Sequence, residues 1–200
     1  MSSSPIQRDA SRGLLYRMIR AARLDSSLYG EVREDASATG QALTVVALVV
    51  LSHGVGGIFR GMSFEEKENP VIGFLFGALG ELSFFAAASG VIYLFGKQVL
   101  GAKATYARVL RPFGFSVVPG LLVLIASLVS LAKVGAEAPV LILIGAWRLA
   151  AGYVAIRQAL GLGALKSTVP LLVGVLCGMV AVVISTRILF ELLRLAGLSS

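Results

Sequence analysis

The sequence contains one cysteine, one histidine and one tryptophan in 200 residues, and few charges. Each scarcity removes a class of function. Cys177 stands alone inside an apolar run, which excludes a disulfide framework and a cysteine metal site. His53 is the only histidine, and a metal site needs several such ligands. Catalytic patterns are missing as well: there is no paired intramembrane Asp, no His-Glu-x-x-His and no Gly-rich loop behind a strand. Ser52 and His53 are neighbours in sequence, so on a helix they do not face each other. No nucleophile–base pair assembles, and neither an enzyme nor a cofactor is expected.

What the sequence has is hydrocarbon. Apolar residues make up 56% of the chain and charged residues 14%, against roughly 25% charged in a soluble domain. Mean hydropathy is +0.86. The excess lies in long continuous runs, so the chain reads as an all-α polytopic membrane protein whose first partner is the lipid bilayer. A net charge of +7 raises the question of nucleic acid. The Lys and Arg residues fall mostly between the apolar runs, where they orient a membrane protein, and no nucleic-acid partner is expected. The first apolar run begins near residue 41 behind a charged leader, with no small-residue cleavage site, so no removable signal peptide is expected.

A membrane helix needs about 20 mostly apolar residues. Five segments qualify, at about 41–59, 71–96, 113–131, 139–160 and 169–190, leaving a leader at 1–40 and a short tail at 191–200. Pro70, Pro112, Pro139 and Pro170 each fall at or beside a span start, where a missing N–H costs nothing. Pro119 lies well inside the third span and is expected to kink it. On one side of the membrane lie twelve basic residues: Arg8, Arg12, Arg17, Arg20, Arg23 and Arg33, then Lys97, Lys103, Arg108 and Arg111, then Arg157 and Lys166. The other side holds five: Arg60, Lys67, Lys133, Arg187 and Arg194. The positive-inside rule then places the N-terminus in the cytoplasm and the C-terminus outside. The first outer loop, "RGMSFEEKENP", is short and acidic on balance.

The leader begins with a disordered tail over residues 1–4 and continues with a helix at about 12–24. Leu14, Leu15, Met18, Ile19 and Ala22 share one face of it, and Arg17, Arg20 and Arg23 line the other. A short basic amphipathic helix of this kind lies on an anionic membrane surface, or else packs on the protein's own cytoplasmic loops.

Two ionisable residues, Glu81 and Arg148, fall near the middle of spans, where such groups are costly and face the bundle interior. Their spans run in the same direction, and both residues lie roughly 15 Å below the outer boundary at 1.5 Å per residue. Small residues flank each of them, so the two are expected to pair. Insertion of an unpaired Arg costs about 2.5–3.5 kcal/mol, whereas an interhelical polar contact returns only about 0.6–2 kcal/mol. His53, in the Gly-rich stretch "LSHGVGG", is expected as hydrogen-bonded packing, with a proton or ligand role as the alternative. Gly73-x-x-x-Gly77 and Gly174-x-x-x-Gly178 form seams for close helix approach, within the chain or between copies and other membrane proteins.

Three stretches carry a family resemblance: "RAARLDSSLYGEVREDASATGQAL" before the first span, "KATYARVLRPFGFSVVPG" at the third and "WRLAAGYVAIRQALG" at the fourth. Over about residues 20 to 190 the chain resembles the YIP domain family, in its prokaryotic branch. These are five-span membrane proteins named for binding Ypt/Rab GTPases in eukaryotes. Leu28-Tyr29-Gly30 is similar to part of an Asp-Leu-Tyr-Gly-Pro motif of that family, with Ser27 and Glu31 departing from it, and Gly152-Tyr153 to a Gly-Tyr pair. The resemblance implies five spans, a bacterial cytoplasmic membrane, a cytoplasmic N-terminus and a role like trafficking or membrane shaping. The expectation is a non-enzymatic organiser of membrane partners or bilayer. Its rival is a transporter or channel subunit with Glu81 and Arg148 in a polar pathway.

Overall fold

The fold is taken from a computed structural model, which describes residues 13–63, 69–131 and 137–198, the side chains of 63, 130 and 131 excepted. Arg8, Arg12, Lys67, Lys133, the expected tail at 1–4 and the middle of the loop "RGMSFEEKENP" lie outside these residues. The structure is 87% helical with no strand among the described residues, which makes it all-α. Two short helices, α1 (Leu14–Ala22) and α2 (Ser26–Glu34), precede the bundle. The bundle contains α3 (Ala38–Ser63), α4 (Pro70–Gln98), α5 (Tyr106–Ser116), a 3₁₀ turn (Val118–Leu122), α6 (Val123–Leu131), α7 (Glu137–Leu160) and α8 (Ala164–Leu195). Five segments are long and apolar enough to cross a membrane, the third being the composite Tyr106–Val129.

The interruption expected at Pro119 is the 3₁₀ turn itself, which splits α5 from α6. Its tighter hydrogen-bonding pattern accommodates a residue that cannot donate to the α-helical ladder. Pro70 opens α4, where Asn69 caps the helix by accepting from the Val71 N–H at 2.9 Å. Pro112 and Pro170 differ from expectation, since both sit inside their helices. At Pro112 the reason is anchoring of the turn before it. Arg108 binds Glu34 at 2.6 Å, and Arg111 donates to the Arg33 carbonyl at 3.0 Å and to Thr39 at 2.8 Å. Those contacts hold Tyr106–Arg111 helical against the end of α2. At the other end of the chain α8 continues into the stretch read as a tail. It stops where Gly197, at φ +70°, lets Leu198 N–H reach the Leu193 carbonyl at 2.9 Å.

The third span forms the core: every residue from 112 to 120 is buried. It runs parallel to α3, with Gly114 against Ala42 near one end and Ser127 bonded to Arg60 near the other. On its second side it packs against α7, which presents Ala151, Gly152, Ala155, Ile156 and Ala159 at helical spacing. Meanwhile α4 packs along α3 on one face and along α8 on the other.

Helices α1 and α2 form an antiparallel hairpin on this bundle, turning at Leu24, which takes the left-handed conformation at φ 59°. Asp25 caps α2 by accepting from the Ser27 N–H at 3.0 Å and hydroxyl at 2.6 Å. The Ser27 hydroxyl, followed by the Arg20 guanidinium, holds the Asp25 carboxyl down to about 2. Tyr29 lies buried inside the hairpin, with its phenol donating to the Ala21 carbonyl at 3.1 Å, and burial raises its pKa.

Candidate functional site

The site starts from glycine. In the half of the bundle away from the leader, α3 carries Gly54, Gly56 and Gly57 and α4 carries Gly73, Gly77 and Gly80. The two backbones touch there: a Cβ at Gly73 would lie 2.7 Å from the Gly57 carbonyl oxygen, and one at Gly77 would strike the His53 carbonyl. Contact this close leaves no room for side chains at the crossing, so the first polar residues beyond it must meet. They are His53 on α3 and Glu81 on α4, with His53 Nε2 3.3 Å from Glu81 Oε2.

Arg148 reaches them from α7, on the far side of the third span. The 3₁₀ turn opens its path, because a Cβ on Gly120 would sit 3.4 Å from Arg148 Nη1. The guanidinium passes Gly120 and clasps Glu81 with both arms: Nη1 donates to Oε2 at 3.0 Å and Nη2 to Oε1 at 2.5 Å. A fork-on-carboxylate pair is the strongest arrangement open to these two groups. Nη1 also lies 3.5 Å from His53 Nε2, and the guanidinium stacks over Phe84 at 5.5 Å. Glu81 is 6% exposed. Glu81 and Arg148 thus meet as the sequence predicts, and His53, expected as packing, joins them.

The tautomer of His53 follows from its other nitrogen. Nδ1 is 2.9 Å from the Val49 carbonyl oxygen, which only accepts, so Nδ1 carries the hydrogen. In the neutral ring Nε2 is then a lone pair directed at a carboxylate and a guanidinium.

Two cavities meet at this triad. One, of about 280 Å³, is lined by His53, Arg60, Phe76, Glu81 and Arg148 and lies toward the end of the bundle away from the leader. The other, of about 240 Å³, is walled by Phe113, Leu149, Leu171, Val175 and Met179. Arg148 and Phe84 line both and form the partition between them. Arg60 points back along its helix into the first cavity and donates to Ser127 at 2.9 Å.

The remaining sequence candidates fall elsewhere. Gly73 and Gly77 are used against α3, while Gly174 and Gly178 face Ala88, Ile92 and Phe84 of α4. Both seams therefore bury themselves inside one chain, and neither is open for self-association. The expected basic face of the leader also needs correction. Arg17 is fully buried and binds Gln41 at 2.8 Å, Glu31 at 3.1 Å and Asp35 at 2.7 Å. Arg20 binds Asp25 at 2.7 Å and Glu31 at 2.8 Å. The carboxylates of α2 claim both guanidiniums, because the hairpin turn brings the acidic helix alongside. Only Arg23 of the three is exposed. What the hairpin does present is a ridge of Leu15, Tyr16 and Ile19, which are 70%, 49% and 44% exposed. Trp147, beside Arg148, pins the hairpin by donating its indole N–H to the Ala22 carbonyl at 2.9 Å.

Among the described residues no group of three His, Cys, Asp or Glu is arranged to hold a metal ion. Comparison with curated proteins and with solved structures gave no match. The Yip1 domain pattern matches residues 26–186, from the start of α2 to near the end of α8. With most of its length inside that match, the chain belongs to the Yip1 domain family.

Proposed function

We propose that the chain is a non-enzymatic organiser of membrane partners or bilayer, acting through its leader hairpin on the cytoplasmic side. The observation that carries this reading is the exposed ridge of Leu15, Tyr16 and Ile19, tied to the bundle through the Trp147–Ala22 hydrogen bond. Arg23 extends it by one more turn, at the i, i+4, i+8 spacing of Leu15 and Ile19. An apolar ridge ending in a cation suits the boundary between acyl chains and anionic headgroups, or the flank of another membrane protein. Photoreactive residues placed at 15 and 19 in native membranes test it. Cross-links to lipid or to other proteins are expected there and not from the buried position 21. Cross-links confined to the chain itself would end the reading.

A second reading, a transporter or channel subunit, draws support from the two cavities that share Arg148 as their partition. It predicts ion flux through reconstituted vesicles that Glu81→Gln abolishes. The organiser reading predicts flux no greater than that of protein-free vesicles.

A further inference from the structure

We propose that His53 is a proton-binding site, supplied through the 280 Å³ cavity, whose charging loosens Arg148 from Glu81 and is transmitted to the leader hairpin through Trp147. This goes beyond the organiser reading and does not depend on it.

Nδ1 of His53 holds its hydrogen against the Val49 carbonyl, so the neutral ring directs a lone pair at Glu81 Oε2 from 3.3 Å. Two lone pairs at that separation repel each other, and among the described residues the hydrogen that separates them is one on Arg148 Nη1, at a long 3.5 Å from the ring and shared with Oε2. A proton on Nε2 turns this repulsion into a charge-assisted hydrogen bond to Oε2. The same proton places two cations side by side, since the imidazolium then faces Arg148 across 3.5 Å. Glu81 Oε2 becomes the acceptor for which both compete, and the guanidinium arm on Oε2 is the one displaced.

Three charged groups face the ring. They are Glu81 from α4, Arg148 from α7 and, two turns away on its own helix, Arg60. The third span brings Ser52 a backbone acceptor, the Leu121 carbonyl at 3.0 Å, while its two charges, Arg108 and Arg111, are bound at the end of α2. All three charged groups line the cavity, which is large enough and polar enough to admit water, so the proton comes from solvent and no protein donor is needed.

Transmission rests on adjacency. Trp147 and Arg148 are consecutive on α7, and the first ties that helix to Ala22 of the hairpin as the second ties it to Glu81. A shift of the guanidinium moves the turn that carries the indole, and the 2.9 Å bond to Ala22 lengthens or breaks.

The composition makes this testable without background, because the chain has one histidine and one tryptophan. The full chain is labelled with ¹⁵N-histidine, placed in lipid nanodiscs and titrated from about pH 8 to about pH 4.5, the interval over which a histidine changes charge. Its imidazole signals are expected to pass from the Nδ1–H neutral form to imidazolium in one step. Trp147 emission is expected to shift with the same midpoint. In His53→Gln both changes vanish, with far-UV circular dichroism confirming the fold. In Glu81→Gln the tryptophan no longer follows the histidine, since no carboxylate is left to contest. A ring that stays neutral throughout overturns the site. A titrating ring with motionless Trp147 emission overturns the transmission. An emission shift that survives His53→Gln would place its origin in another group and would also overturn it.

Discussion

The backbone of Gly120 lies against the guanidinium of Arg148, with a Cβ at that position falling 3.4 Å from Nη1 and 3.5 Å from Cζ. The same Cβ would lie 2.8 Å from Val49 Cγ1, on a β-branched side chain with little freedom to turn away. The 3₁₀ turn and its glycine therefore have one local consequence: a side chain from α7 crosses the core helix and reaches α4.

Gly120→Ala should for this reason cost about 1–3 kcal/mol, the usual range for overpacking. Gly90→Ala on α4 is the control, because a Cβ there meets nothing within 4 Å. It should be neutral or slightly stabilising through helix propensity. Unfolding of both variants in mixed micelles measures the difference. Equal stability for the two would mean that the passage at Gly120 is not tight.

The Glu81–Arg148 pair gives a sharper expectation. Glu81→Gln leaves a partly buried guanidinium without its carboxylate, and Arg148→Gln leaves a buried carboxylate without its guanidinium. Each should lose about 3 kcal/mol of stability. The double change removes both charges and should lose clearly less than the two single losses added. The coupling should be at least the roughly 0.6–2 kcal/mol of interhelical polar contacts in membranes, given the two-armed geometry. Additive losses would show that the two side chains do not hold each other.

Much of this site is legible in the sequence, and the gap at His53 is instructive. Counting residues from span boundaries puts Glu81 and Arg148 at one depth, because a helix rises 1.5 Å per residue. A count from the other boundary puts His53, twelve residues into a first span that starts near 41, about 18 Å from the inner side, near the middle of a hydrocarbon core about 30 Å thick. Depth was readable for all three residues. Azimuth was not, because which face of α3 meets α4 depends on Gly57 and Gly73 touching, a contact between helices. The leader failed for a similar reason. Periodicity sorted Arg17 and Arg20 onto one face of α1 correctly, but only the turn at Leu24 folds Glu31 and Asp35 back onto them. An amphipathic pattern states which face is polar, never what will lie against it.

Orientation in the membrane is a separate expectation, resting on the distribution of Lys and Arg. A reporter active only in the cytoplasm should work when fused after Lys103 or Lys166, and fail after Lys67 or Ser200. The reverse pattern would overturn the charge argument and move the hairpin to the opposite face.

The hairpin should also respond to acid, in a range well below that of any histidine. Asp25 and Asp35 are both held down to about 2 from the ordinary 3.8. For Asp25 the Ser27 hydroxyl is the largest cause and Arg20 the next favourable one; for Asp35 the order is Ser37 and then Arg17. A carboxyl whose pKa is lower in the folded hairpin stabilises it fully above the unfolded value. That contribution is lost as pH falls through 3.8 toward about 2. Water screens both groups, so the loss is local and does not unfold the bundle. Amide exchange, corrected for its intrinsic pH dependence, should accelerate in α1 and α2 between pH 3.8 and about 2 and stay slow in α4. Asp35→Asn should weaken the hairpin at neutral pH and flatten this acid response, because the buried Arg17 then lacks the carboxylate at 2.7 Å whatever the pH. An unchanged acid profile in that variant would show that Asp35 does not hold Arg17 in place.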